Sequence, residues 1–198
     1  MRNHFLLFLQ RNLLPRHIGA KLTILLLMLI FVGTAPVSAS GDYEANITLL
    51  KNLEYPEVLL KQIRSARKNV LFSFYLFKIS ESPDNKPRRI AEELINARNR
   101  GVAVTVILEQ SNKQDDPLNI DNHKTAALLS QKGIKVLFDS PLTTTHVKAA
   151  IIDNRYVFLG SHNLTQSALQ YNNELSVRID SKALAGEIQG YLNLLPTR

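Results

Sequence analysis

The chain has 198 residues, 45% of them hydrophobic, and no cysteine, so disulfides and thiolate metal sites are excluded and the fold must rest on its apolar core. The formal net charge is +7, but residues 1–39 hold four of the 24 Lys and Arg side chains and no Asp or Glu, which leaves 20 basic against 17 acidic residues, +3, in the remainder. A balance that small permits contact with phosphate-bearing polymers or lipids without arguing for it.

Arg2, Arg11, Arg16 and Lys21 precede the apolar run LTILLLMLIFV at residues 22–32, and GTAPVSAS follows with small residues at Val37 and Ala39. A basic start, a short apolar run and a small-x-small exit form a secretory signal with its exit near Ala39. The run is shorter than the about 20 apolar residues of a bilayer span. The alternative is an uncleaved inner-membrane anchor through residues 22–35. Export to a bacterial periplasm or beyond is the expectation, with residues 40–198 as one domain. About 160 residues suffice for a core that buries about two thirds of the chain's surface.

Along that domain, residues 43–53 read as a short entry strand. PEVLLKQIRSARK (56–68) has Val58, Leu59, Ile63 and Ala66 at helical spacing, with Pro56 near its start. NVLFSFYLF (69–77) is a continuous apolar run, as suits a strand buried on both faces. KISESPDNKP is a loop. RRIAEELINARNRG (88–101) is an amphipathic helix ending in glycine. VAVTVILE (102–109) is a second strand, QSNKQDDPLNID a polar loop, DNHKTAALLSQKG another helix ending in glycine, and IKVLFD (134–139) a third strand. Strands alternating with helices of this length imply an α/β sandwich with parallel strand pairs. His123 falls at a polar helix start and is expected to be solvated.

VKAAIID and RYVFLG are apolar runs joined at Asp153 and Asn154, a hairpin signal. His146 and Lys148 stand two apart on the first run, so an imidazole and an ammonium point to one face. Gly160, Ser161 and Asn163 close the second run. The glycine lets backbone approach a ligand, and Ser161 and Asn163 add a hydroxyl and an amide. The helix predicted in LTQSALQ begins just beyond, and a helix start favours anions.

Taken together, His146, Lys148, Asp153, Gly160, Ser161 and Asn163 reproduce H-x-K, four residues, Asp, six residues, then Gly-Ser-x-Asn. This resembles the signature of the phospholipase D superfamily, and six identities at fixed spacing leave little room for chance. The acidic residue that often follows in the family matches Glu174 in YNNELSV. The pattern from residue 58 to residue 179, NARNRGVAVTVIL included, is similar to the small bacterial endonucleases of the superfamily. The resemblance implies a mixed, largely buried β-sheet flanked by helices on both faces, and a phosphodiesterase that needs no metal or other cofactor.

The residue types fit that chemistry. A histidine that is neutral near pH 7 is a competent nucleophile, here His146 attacking phosphorus to give a phosphohistidine. A second histidine protonates the leaving oxygen. Lys148, Ser161 and Asn163 stabilise charge on the phosphoryl oxygens. Glu174 accepts an imidazole N–H and holds its tautomer. Asp153 falls in the hairpin turn, where shaping the turn or supporting its neighbours outweighs direct chemistry. His162, at the variable position of the motif, is assigned no role. The motif occurs once, and larger members carry two copies that share one site. A homodimer is therefore implied, each subunit giving one His146.

Three substrates or roles stay open. One is nucleic acid, cut with little base preference, with Lys78, Lys86, Arg88, Arg89 and Lys113 as candidate backbone contacts. The second is a phospholipid head group such as that of phosphatidylcholine, against which the polar loops count. The third is a phosphate-binding module without activity.

Overall fold

The computed structural model describes residues 41–113 and 115–197. The expectations for residues 1–39 lie outside the described residues. Seven strands, β1 (Asn46–Lys51), β2 (Asn69–Phe74), β3 (Ala103–Leu108), β4 (Lys135–Phe138), β5 (Lys148–Ile152), β6 (Tyr156–Gly160) and β7 (Leu175–Asp180), form one sheet in the order β1-β7-β6-β5-β2-β3-β4. β2, β3 and β4 are mutually parallel, and every other neighbouring pair is antiparallel. The expected mixed α/β sheet is what the chain forms.

Among the described residues, five helices cover it: α1 (Glu54–Ser65), α2 (Lys86–Asn99), α3 (Pro117–Gln131), α4 (Gln166–Gln170) and α5 (Lys182–Leu194). The strands alternate between two cores. Val70, Phe72 and Phe74 of β2 with Val104, Val106 and Leu108 of β3 face the larger core, where α1 contributes Leu59 and Ile63, α2 Ile90 and Leu94, and α3 Leu129. Ile107, Ile151, Val157 and Ile179 face the smaller one, packed by Ala185 and Leu192 of α5. Helices thus lie on both faces, as the buried apolar runs required. Each fully buried Phe or Leu contributes about 1.5–3 kcal/mol of apolar transfer.

Helix starts follow short polar side chains. Asn85 Oδ1 accepts Arg88 N at 2.9 Å, and Asp116 Oδ1 accepts Leu118 N at 3.0 Å. The second cap corrects a boundary: α3 starts at Pro117, four residues before the start read from apolar spacing, because Asp116-Pro117 is a cap and first-turn pair. Gly101 and Gly133 end α2 and α3 with φ of 91° and 77°, as their placement in the sequence suggested. β2 ends at Phe74, three residues early, because Asn122 of α3 intercepts the next backbone groups. β7 and α5, unassigned from sequence, complete the sheet and its second face.

Asn122 has no solvent exposure. Its Oδ1 accepts Phe77 N, and its Nδ2 donates to the carbonyls of Tyr75 and Glu109, all at 2.9 Å. One amide therefore ties the ends of β2 and β3 to α3. Replacing it strands three buried backbone groups at a cost of about 1 kcal/mol or more each. Urea unfolding of Asn122→Ala is expected to show a loss of about 3 kcal/mol or more, and a loss below about 1 kcal/mol would remove this tie from the account.

Candidate active site

The parallel strands β2, β3 and β4 end at one rim. β5 starts there, because its antiparallel register sets Lys148 opposite Phe74. β6 ends there and β7 begins there, with Gly160 opposite Ser176. The rim therefore gathers Tyr75, Glu109, Asp139, His146, Lys148, Gly160, Ser161 and Glu174 from all parts of the domain. The crevice outside the carboxyl ends of parallel strands is the usual ligand position of such sheets.

His146 is exposed and lies just before β5, where Tyr75 N donates to Val147 O at 2.9 Å and prolongs the pairing. Lys148 Nζ lies 3.3 Å from both ring nitrogens of His146 and donates to its carbonyl at 3.2 Å. The Tyr75 ring packs against the imidazole at 4.5 Å between centroids and lies 5.3 Å from the ammonium. Lys148 is only 8% exposed, and burial lowers its pKa below the ordinary lysine value while the Glu174 charge opposes that shift. The expected shared face of imidazole and ammonium is present, presented to solvent on one side and backed by an aromatic ring on the other.

The Gly-Ser-x-Asn turn is built around Glu174. Ser161 donates its hydroxyl to Glu174 Oε2, and the same hydroxyl oxygen accepts Leu175 N at 3.0 Å. Asn172 Nδ2 donates to Glu174 Oε1 at 3.1 Å, and Glu174 N donates to Asn52 Oδ1 at 2.9 Å. Glu174 is therefore engaged by Ser161 and Asn172, and no imidazole of the described residues donates to it. Asn163 Oδ1 is buried without a partner. Gly160 is required by its neighbour strand: a Cβ there would collide with the side chain and backbone of Ser176 in β7.

Asp153 stands at the opposite end of β5, with φ of 57°, as a turn residue. Its carboxylate accepts the backbone N–H groups of Arg67, Lys68 and Asn69 at 2.7 to 3.3 Å, which fixes the entry into β2. Lys148 lies five residues before it, about 17 Å of extended chain, and His146 two residues further still. His162, given no role from sequence, is 1% exposed and stacks on Tyr55 at 4.2 Å. Its Nε2–H donates to Asn52 O at 3.1 Å, so Nδ1 accepts the Ser176 hydroxyl at 2.7 Å. Burial lowers its pKa, consistent with this neutral tautomer. His123 is exposed, as expected, with its ring against Phe138.

Of the candidate cations, Lys78 pairs with Asp121 at 2.9 Å, Arg88 with Glu81 at 2.9 Å and Lys86 with Glu57 at 3.8 Å. Arg89 and Lys113 form no ion pair among the described residues. Sequence reasoning missed Tyr75, Glu109 and Asp139. Both acids are buried, and burial followed by the hydrogen bond with Asp139 pushes the Glu109 carboxyl up to about 7. Among the described residues no group of three or more His, Asp or Glu side chains forms a metal-binding cluster.

A mixed sheet with a histidine–lysine pair and a Gly-Ser-x-Asn turn at its rim defines the class. Residues 59–195 match the family described as cardiolipin synthase, PLD-like domain, and the chain belongs to that family. A polyphosphate kinase of Vibrio vulnificus (strain CMCP6) is 24% identical over 151 residues, which are 73% of this chain and 20% of that protein. A phospholipase D of Rickettsia prowazekii (strain Madrid E) is 32% identical over 127 residues, 64% of this chain and 55% of that one. The chain thus spans between a fifth and about half the length of these curated relatives. Among solved structures, a phospholipase D family member, Nuc from Salmonella typhimurium, shares the fold with a TM-score of 0.63. It has 24% identity and covers 78% of this chain and 99% of its own.

The geometry assigns Asp153 a structural task. Asp153→Ala removes a charged acceptor from three N–H groups, so its urea midpoint is expected to drop by the equivalent of about 2–4 kcal/mol. The His146 ring resonances should stay in place, and their displacement by this substitution would mean that Asp153 acts on the site itself.

Proposed function

We propose that the protein is a phosphodiesterase in which His146 is the nucleophile, and that two copies complete one site. The observation that carries this is the exposed His146 imidazole with the Lys148 ammonium 3.3 Å from its ring. A ring nitrogen attacks phosphorus and the P–O bond to the leaving alcohol breaks. The second copy's His146, protonated, gives its proton to that oxygen. The same ring then takes a proton from water, whose oxygen attacks phosphorus and releases His146. Lys148 neutralises phosphoryl oxygen charge in a buried setting, where a cation is worth more than in bulk water. In this reading the Gly-Ser-x-Asn turn contributes through the Asn163 amide NH2, while Glu174 holds the Ser161 hydroxyl in place.

A second copy is supported by what one copy lacks and by what it exposes. The motif supplies one histidine. On the α5 side of the sheet, Ile47, Leu49, Leu159 and Leu175 are 65%, 52%, 40% and 54% exposed, and cross-strand register puts them on one face. Leu159 adjoins Gly160 and Leu175 adjoins Glu174, so this apolar face runs up to the rim. Burial against a twin is what such a patch favours.

Nucleic acid is the substrate we favour. The reacting pair is open to a polymer, and Arg89 and Lys113 remain free of ion pairs among the described residues to meet neighbouring phosphates. A phospholipid head group is the second reading, on one observation: Leu142, in the loop before His146, is 89% exposed and apolar. The name of the Rickettsia relative points the same way.

Plasmid DNA, RNA and phosphatidylcholine vesicles, each incubated with the purified protein and a chelator, separate these readings. Cleavage of nucleic acid is expected in chelator, with a drop of at least 1,000-fold in His146→Ala and a steep fall with salt. Hydrolysis of vesicles alone would transfer the assignment to lipid, and no cleavage of any of the three would contradict a phosphodiesterase. Sedimentation is expected to give a dimer, and full activity in a monomer would contradict the shared site.

A further inference from the structure

Glu109 follows β3 and Asp139 follows β4, and the two strands are parallel neighbours with Leu108 opposite Phe138. The residues are 3% and 1% exposed. Asp139 Oδ1 accepts Gln110 N at 2.7 Å, while its Oδ2 is buried with no hydrogen-bond partner. Glu109 Oε2 accepts Thr145 N at 2.6 Å, one residue before His146. The loop from Ser140 to Thr145 is otherwise largely exposed, so this bond is where the segment entering His146 is held to the sheet.

Two ionised carboxylates in contact inside a protein repel strongly, and one shared proton relieves this. Glu109 O–H then donates to the open oxygen of Asp139, and the other Glu109 oxygen keeps the Thr145 N–H. All groups of the pair are satisfied in that state, whereas with both carboxyls ionised Asp139 Oδ2 has no donor. The charged groups acting on Glu109 are Asp139 from the end of β4 and Asp116 from the cap of α3, both acids, and the Thr145 N–H is the one contact that favours the ionised carboxylate.

We propose that Glu109 is a positioning residue for His146: it shares a proton with Asp139 and, through Thr145, sets the backbone that presents the imidazole. The proposal rests on the reading of His146 as the nucleophile. Loss of the shared proton drives the two carboxylates apart and loosens the Thr145 attachment. The hold on Glu109's proton lasts to about pH 7, against an ordinary value of 4.5, so the loosening falls in the neutral range. The sign for stability follows. The folded chain keeps a proton that the unfolded chain has released, so stability declines as pH rises between 4.5 and about 7.

Glu109→Gln reproduces the protonated arrangement, since its carbonyl accepts Thr145 N–H and its NH2 donates to Asp139. The Thr145 amide resonance of the purified protein, followed by NMR from pH 5.5 to 8.5, is expected to titrate near 7 in the wild type and to lose that step in Glu109→Gln. Turnover of phosphodiester should be equal for the two proteins at pH 6. At pH 8 it should be higher in Glu109→Gln by up to about tenfold, since about a tenth of a group titrating at 7 is still protonated there. KM should be unchanged. A Thr145 amide that is flat in the wild type, or that titrates equally in the variant, overturns the proposal, as does a variant no faster than wild type at pH 8. The amide titration needs no substrate, so it tests the proposal even where cleavage fails, and the absence of cleavage counts against the phosphodiesterase reading alone.

Discussion

The register that sets Phe74 opposite Lys148 is the constraint from which the rim follows. With it, the β5 start lies beside the ends of β2 and β3, and Tyr75 can brace the His146 ring. A slip of one residue would send Lys148 to the other face of the sheet and pull Ala150 and Ile152 out of the larger core. The apolar side chains of β5 therefore enforce the position of the polar pair. The same logic holds across β6 and β7, where the close approach at Ser176 admits only glycine at position 160. Packing precision in the sheet becomes geometric precision at its edge.

That edge is tied down by polar side chains aimed at backbone. Asn122 bonds the ends of β2 and β3, Asn52 the start of β7, and Glu109 the segment before His146, while Asp153 does the same for the entry to β2 at the opposite edge. Each bond joins parts of the chain that are far apart in sequence, and each satisfies groups that a loop would otherwise leave open. The rim can hence carry exposed chemistry on irregular backbone without losing its shape. Lys148 is the costly element, a cation at 8% exposure, and it is offset by the Tyr75 ring, the His146 carbonyl and the nearby Glu174 charge.

Much of this was legible in the sequence where the determinants are local. The period-two placement of His146 and Lys148, the Asp153-Asn154 turn and the glycines after α2 and α3 are short-range signals, and each marks the feature it predicted. The fixed spacing of the motif identified the family. What stayed hidden depends on contacts across the fold. β7 is recognisable only as the partner of β1 and β6. Asn122 and His162 are ordinary polar residues on paper, and their burial follows from α3 and β7 closing over them. Glu109 reads as the last letter of a strand, and Asp139 as the last letter of another. Only the parallel pairing of β3 with β4 makes them one unit. Glu174 was read as a support for an imidazole, but the Ser161 turn and Asn172 claim its oxygens.

The central claim is a covalent one, that phosphorus passes through a nitrogen of His146. Rapid acid-free quenching of the protein with a phosphodiester carrying labelled phosphorus tests it most directly. The account predicts label bound to the protein through an acid-labile, base-stable bond, mapped to His146 and absent from His146→Ala. Turnover without any such label, or label retained in the alanine variant, would contradict it.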